Sequence, residues 1–419
     1  VWAIRNPWRN LPPEVAVLSA VAFAVALGFG IVAPAIPLFA KYFHVDNTQA
    51  GAVISVFALM RLVSAPIAGR MVNRLGERVV LATGIGIVGV SSLLAGFSQS
   101  YPELLLLRGV GGGGSAMFTV GAYSLLLRVA APDQRGRSSS AFQGGFLMGG
   151  ITGPLFGGTV TAWSLRAPFF LYAATLLVAG TVAMVYLARA SLREREIAAG
   201  TAHPPTPFRD ALGKPAYRAA LTNAFANGWS VFGLRSAVVP LFVAESLLLS
   251  PRWTGAGLLV WALVEGLVLL TAGRLVDVRG RRPYLRAGAA LCVLAATVLA
   301  FSGNAVPFLA AMGLFGGASA LLSTSGAAIV GDVIGGRGGT AVAGYQMSQD
   351  AGAFTSPLVA GRLSDLFSFR AAFLATAVVS GVALLGALLM PETKPASVAG
   401  SPAPPGREPL DLRADADDA

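Results

Sequence analysis

Five ionisable residues stand inside long apolar stretches of the chain: Arg61, Arg108, Arg235, Glu265 and Asp350. An ionised side chain within a bilayer is costly, so such residues as a rule line a pathway or pair with one another. Glu265 and Asp350 are the carboxylates nearest the middle of their stretches, which makes them the groups able to carry a proton. Burial disfavours a carboxylate and a nearby guanidinium favours it, so an arginine that moves can load and unload that proton. A permanent structural salt bridge is the alternative for each. Other chemistry lacks its residues. Cys292 is the single cysteine and lies in an apolar stretch, so neither a disulfide framework nor thiol chemistry is expected. His44 and His203 fall in loops, and no His/Cys/carboxylate set has metal-ligand spacing. No Ser/His/Asp or Cys/His set suggests a nucleophile, and Gly111 to Gly114 lack the strand and lysine of a phosphate loop. No catalytic residue, metal or bound cofactor is expected.

The elements that must hold these charges are membrane helices. Hydrophobic residues make up 55% of the 419 and charged residues 12%, against roughly 45–50% and 25% in soluble domains. Apolar runs long enough to cross a ~30 Å hydrocarbon core recur along the chain. They predict an all-α integral membrane protein with twelve spans, near 13–40, 48–71, 79–98, 102–127, 138–160, 167–188, 217–244, 253–276, 284–302, 305–330, 339–361 and 368–390. The first is too long, and followed by too many others, to read as a cleaved signal. The net charge of +11 does not call for nucleic acid. Basic residues gather in the N-terminus, in loops around Arg70–Arg78, Arg128–Arg137 and Arg274–Arg286, and in the central segment from Arg189 to Arg218. The opposite side holds Lys41, Arg166, Arg252, Arg362 and Arg370. That bias predicts a multi-pass protein of the cell membrane with both termini cytoplasmic. The expected organisation is a cytoplasmic N-terminus (1–12), a six-helix half (13–188), a cytoplasmic linker (189–216), a second six-helix half (217–390) and a disordered cytoplasmic tail (391–419).

The halves are related. Gly69-Arg-Met-Val-Asn73-Arg74-Leu-Gly76-Glu77-Arg78 matches Gly273-Arg-Leu-Val-Asp277-Val-Arg279-Gly280-Arg281-Arg282, 204 positions later. Gly109, Gly112, Gly113, Ser115 and Ala116 match Gly313, Gly316, Gly317, Ser319 and Ala320 at the same offset. The glycines permit a tight turn, the arginines stay at the interface, and the residue at the fifth position can cap the neighbouring helix N-terminus or pair with those arginines. The duplicated pattern resembles the signature loop of the major facilitator superfamily. That resemblance covers residues 12 to 390 and implies two pseudo-symmetric halves whose loops latch one state of a transport cycle. The first copy departs from the pattern, with Asn73 in place of the acid and Glu77 in place of a base. Span 5 carries Gly145, Gly149, Gly153 and Gly157 on one face, spacing that lets two backbones approach closely, and Pro154 should bend it. Its string Gly149, Gly153, Pro154, Gly157, Gly158 resembles the antiporter motif of the superfamily's drug–proton antiporters; ordinary packing is the alternative. Arg108-x-x-Gly111-Gly112 resembles a second antiporter motif, with snorkelling of Arg108 to the interface as the alternative.

The resemblance implies a proton-driven efflux carrier whose halves rock around a cavity lined by spans 1, 4, 7 and 10. Tyr123, Asn223, Asn227, Trp229 and Ser323 are then candidates for solute contact. A carrier for one metabolite, such as a sugar or amino acid, is the alternative, and a membrane sensor or enzyme is a third class. The expected partners are a small-molecule solute and the lipid bilayer, with one chain sufficient as a monomer. Matching Pro154 to Pro357, and Pro37 to Pro240, sets Asp350 against Leu147 and Arg235 against Val32. Two opposite charges replacing two apolar residues in one half predict that Arg235 and Asp350 pair.

Overall fold

The computed structural model describes residues 11–33, 35–45, 47–186, 206–335 and 338–394, and every regular element among them is helical. The first half comprises α1 (Pro13–Val32), α2 (Ala35–Lys41), α3 (Asn47–Leu75), α4 (Glu77–Phe97), α5 (Tyr101–Val129), α6 (Arg135–Trp163) and α7 (Ala167–Tyr186). A short helix, α8 (Phe208–Gly213), leads into the second half. There α9 (Pro215–Gly228) is continued by a π-helix over Trp229–Val238, one α-helical step at Val239–Leu241 and a second π segment at Phe242–Ser246. The half is completed by α10 (Pro251–Arg279), α11 (Arg282–Ala300), α12 (Ala305–Ile334), α13 (Gly339–Leu366) and α14 (Phe369–Leu389). The first expected span is thus two helices, α1 and α2, since Pro34 and Pro37 each withdraw a donor from the helix ladder. Residues 189–205 of the expected linker and 395–419 of the tail lie outside the described residues, and the rest of the linker carries α8 and the start of α9. Residues 391–394 are a correction to the expected disordered tail, because they are docked on the bundle, as described below.

Nine of these helices are long and apolar enough to cross a membrane, among the described residues. Their outward faces expose Leu106, Leu177, Leu267 and Val378, as helices immersed in lipid should. Helices α6 and α13 pack along the boundary between the halves. There α3 packs against α13, and α6 against α10 and α12. A helix shielded from lipid on one side can carry Gln346, Gln349 and Asp350 at less cost than one facing hydrocarbon.

The π register of span 7 has a packing reason. A Cβ at Gly228 would fall on the carbonyl of Gln349, and one at Gly233 on the side chain of Ser356. Both glycines therefore touch α13. In an α-helix, residues five apart point roughly 140° away from each other; i→i+5 hydrogen bonding brings them toward one face.

Candidate functional site

The intramembrane charges form two assemblies at equivalent positions of the two halves. Arg61, on α3, donates to Ser115 Oγ of α5 at 2.8 Å and to both carboxylate oxygens of Asp350 on α13, at 3.1 and 3.3 Å. This ion pair crosses the boundary between the halves. Its partners keep 22% and 20% side-chain exposure, so it lines accessible space rather than sealed core. In the second half, 204 positions on, Glu265 of α10 takes the place of Arg61. Ser319 of α12, the match of Ser115, donates to Glu265 Oε1 at 2.7 Å. The serine contact is kept and the charge is inverted. Arg235 belongs to this group through Trp261, one turn before Glu265: its guanidinium lies 5.1 Å from the centre of the Trp261 ring.

The expected Arg235–Asp350 pair is therefore not formed. Asp350 has a closer partner in the other half, and Arg235 belongs to the Trp261–Glu265 group of its own half. Arg108 is 2% exposed, so it does not snorkel: it stands 4.4 Å over the Phe57 ring, and its Nε has no hydrogen-bond partner among the described residues. Phe57 is the counterpart of Trp261 by the same offset.

The duplicated loops sit together at the end of the bundle that carries most of the arginines, here termed the basic end. Gly76 and Gly280 have φ of 90° and 105°, a region that glycine alone enters without strain. Asp277 accepts hydrogen bonds from the backbone N–H groups of Gly136 and Arg137, at 2.7 and 3.0 Å. Asn73 accepts one from Gly339 at 2.8 Å. Each fifth-position residue thus caps the first turn of a helix in the opposite half, α6 or α13, rather than the neighbouring helix. The substitution of Glu77 is also explained. Glu77 pairs with Arg128 at 2.8 Å, and the matching residues Arg281 and Asp332 pair at 2.9 Å, again with inverted signs. Arg135 of the first half joins Asp332 at 2.6 Å, and Arg281 reaches the carbonyl of Pro132. Arg78 and Arg282 donate to the matching carbonyls Met184 and Leu388, satisfying the free ends of α7 and α14. Arg74 is exposed.

After α14, the Glu392 carboxylate accepts from the backbone N–H groups of Arg281, Arg282, Thr393 and Lys394, and Thr393 Oγ1 donates to Asp332. Burial pushes the Glu392 pKa up, but those four backbone donors outweigh it and hold the carboxyl below its ordinary range. This brace occupies the N-terminus of α11, which the loop acid does not reach.

The sequence profile of the Major Facilitator Superfamily matches residues 18–244 and again 219–414, so both halves carry the family pattern. The chain belongs to the major facilitator superfamily. It is a membrane transporter, not an enzyme. Multidrug resistance protein 2 of Bacillus subtilis (strain 168) is 25% identical over 285 residues, 67% of this chain and 70% of that protein. Multidrug resistance protein 1 of the same organism is 31% identical over 169 residues, and the quinolone resistance protein NorA of Staphylococcus aureus (strain MRSA252) 26% over 165. These last two alignments span 39% of this chain and 42% of each relative. Among solved structures, the human organic anion transporter MFSD10 (TETRAN) shares the fold with a TM-score of 0.73 at 17% identity, covering 90% of this chain and all of that one. The superfamily transporter FucP in its outward conformation matches at 0.70 and 16%, covering 89% and 97%.

The remaining sequence-predicted residues of this transporter divide by location. Gly145, Gly149, Gly153 and Gly157 all face α1: a Cβ at each would meet the backbone of Ser19, Phe23, Leu27–Gly30 or Ile31. The stripe is the contact between the first and fifth spans. The side chains of Pro154 and Gly158 lie outside those described. Two candidates for solute contact are committed elsewhere. Asn223 donates to the carbonyls of Ala219 and Ala383, and Trp229 Nε1 to Thr376 Oγ1 of α14. Both serve packing within the second half, because a buried amide or indole N–H needs a partner. Tyr123 packs edge-on against Phe142 at 5.0 Å, Ser323 donates back to Ala320, and Asn227 is buried. Reading residue types alone missed Ser115, Ser319, Arg128, Arg135, Asp332 and Glu392. The 204 offset, applied to Arg61 and Arg128, leads directly to Glu265 and Asp332.

Proposed function

We propose that this transporter exports a small amphipathic solute in exchange for protons by alternating access, with the basic end facing the cytoplasm. The observation that carries the reading is the presence of two mid-membrane carboxylates at the boundary of the halves, one of them in an ion pair across it. A carboxyl at that boundary changes charge when it takes a proton, and a charge change there alters what holds the halves together. Export, rather than uptake, is supported by the relatives named for drug resistance. The orientation is supported by the basic bias of the loops. Exit of solute from the opposite end is supported by the hydrogen bonds that Asp277 and Asn73 accept from the other half at the basic end.

The test is transport in proteoliposomes carrying a trapped pH indicator, with a panel of amphipathic compounds and single nutrients. Proton movement driven by several unrelated amphipathic compounds, together with raised inhibitory concentrations in cells that express the protein, is the expected result. Uptake of one nutrient, with no effect on resistance, would replace this reading by a metabolite carrier.

A further inference from the structure

The two acids are not equivalent, and their surroundings separate their duties. Asp350 is tied to Arg61 of the other half, so a proton placed on it breaks a contact between the halves. Glu265 has no ion-pair partner within 4 Å among the described residues; its hydrogen bond comes from the neutral Ser319. The position on α6 matching Asp350 is Leu147, and its side chain lies 3.5 Å from the Cβ position of Gly266, beside Glu265. The position that supplies Arg61 with its counter-ion is thus apolar in the matching helix, so α6 brings no charge toward Glu265 at that point.

The charged groups around α10 can be followed element by element. Arg235, on the π-helix of span 7, stands 5.1 Å from the Trp261 ring, one helical turn before Glu265. Glu245 is exposed on the second π segment. Arg135 and Arg137 on α6 and Asp332 on α12 belong to the basic-end network around Asp277. Asp277 lies twelve residues from Glu265 on the same helix, about 18 Å along its axis. A proton can therefore come and go at Glu265 without breaking an ion pair, while Ser319 remains a hydrogen-bond partner to either form.

We infer that Glu265 is the site at which the transporter binds its exchanged proton, and that Asp350 acts instead as the strut joining the halves through Arg61. The assignment rests on the proton-antiport reading above and adds to it which carboxyl carries the proton.

Dicyclohexylcarbodiimide, an apolar reagent that adds to protonated carboxyls in membranes, tests it without a known solute. Purified protein in liposomes is treated between pH 6 and pH 8, and adducts are located by mass spectrometry. Glu265 should be modified, with a yield that rises as pH falls, and Asp350 should stay unmodified. Modification of Asp350 to an equal or greater extent, or of neither acid at any pH, overturns the inference. A second arm uses Glu265→Gln, which keeps size and the Ser319 contact, with ethidium as probe. Ethidium-driven proton flux should fall at least about ten-fold while ethidium counterflow persists. A variant that still moves protons as wild type overturns the site but leaves antiport standing. A wild type that moves ethidium without protons overturns antiport itself, even where Glu265 is labelled.

Discussion

Removing Arg61 leaves Asp350 as an unpaired charge in the membrane interior, and removing both restores neutrality. Arg61→Leu should therefore destabilise the folded protein by about 1–3 kcal/mol, less than for a fully buried pair because both partners keep some exposure, read as a lower melting temperature in detergent, and the Arg61→Leu/Asp350→Leu double variant should recover most of it. A double variant no more stable than the single one would mean that the pair contributes nothing. Glu392 supplies a second prediction with a defined pH window. Its carboxyl is held below the ordinary value of 4.5, so its stabilisation is complete above that value and is lost as pH falls through the lower folded one. Glu392→Ala should cost about 1 kcal/mol at neutral pH, as for loss of a helix cap, and the difference from wild type should shrink in melts taken below pH 4.5. The charged residues were legible in the sequence because a lone charge in an apolar run is conspicuous. Their partners were not, since pairing depends on which helices meet. The assignment of Asp350 to Arg235 failed for that reason: it matched residues within one half, whereas α13 lies against α3 of the other.

Hydropathy locates a span but does not report its hydrogen-bond register, so the twelve segments were readable and the π-helix of span 7 was not. Periodicity did read the small-residue stripe on α6, although only the fold shows that α1 fills it. A methyl group there has nowhere to go: at Gly149 it would meet the carbonyl of Phe23 and, at 2.7 Å, the backbone nitrogen of Leu27. Gly149→Ala should cost about 1–3 kcal/mol by overpacking, measurable as a lower midpoint of thermal unfolding. Gly144, with open space around its Cβ position, is the control, and Gly144→Ala should melt as wild type. If the two melt alike, the stripe does not set the α1–α6 distance.

At the scale of the molecule, the duplicated loops join the halves at the basic end, yet the two copies differ in charge. Asp277 is a carboxylate that receives two backbone donors and faces Arg137 at 3.5 Å and Arg281 at 3.9 Å, while Asn73, which accepts from Gly339, is uncharged. Asp277→Asn should accordingly slow transport strongly, and Asn73→Asp should be tolerated, both measured as initial rates at matched expression. Equal rates for wild type and the Asp277 variant would reduce the loop to a topological signal. Orientation is tested independently: a cysteine placed after Lys394 should be protected from an impermeant thiol reagent in intact cells, and one near Asn47 should react.

The charge inversion between equivalent positions bears on how the chain came to be one chain. A complex of two first halves would set Arg61 against Leu147 at both boundaries, stranding two cations. A complex of two second halves would set Glu265 against Asp350 twice, acid facing acid. Only the mixed arrangement gives Arg61 its counter-ion. If the two halves descend from a self-associating ancestor, they have since lost that capacity and become obligate unlike partners. Produced as separate polypeptides, each half should pass over its own copies and assemble with the other.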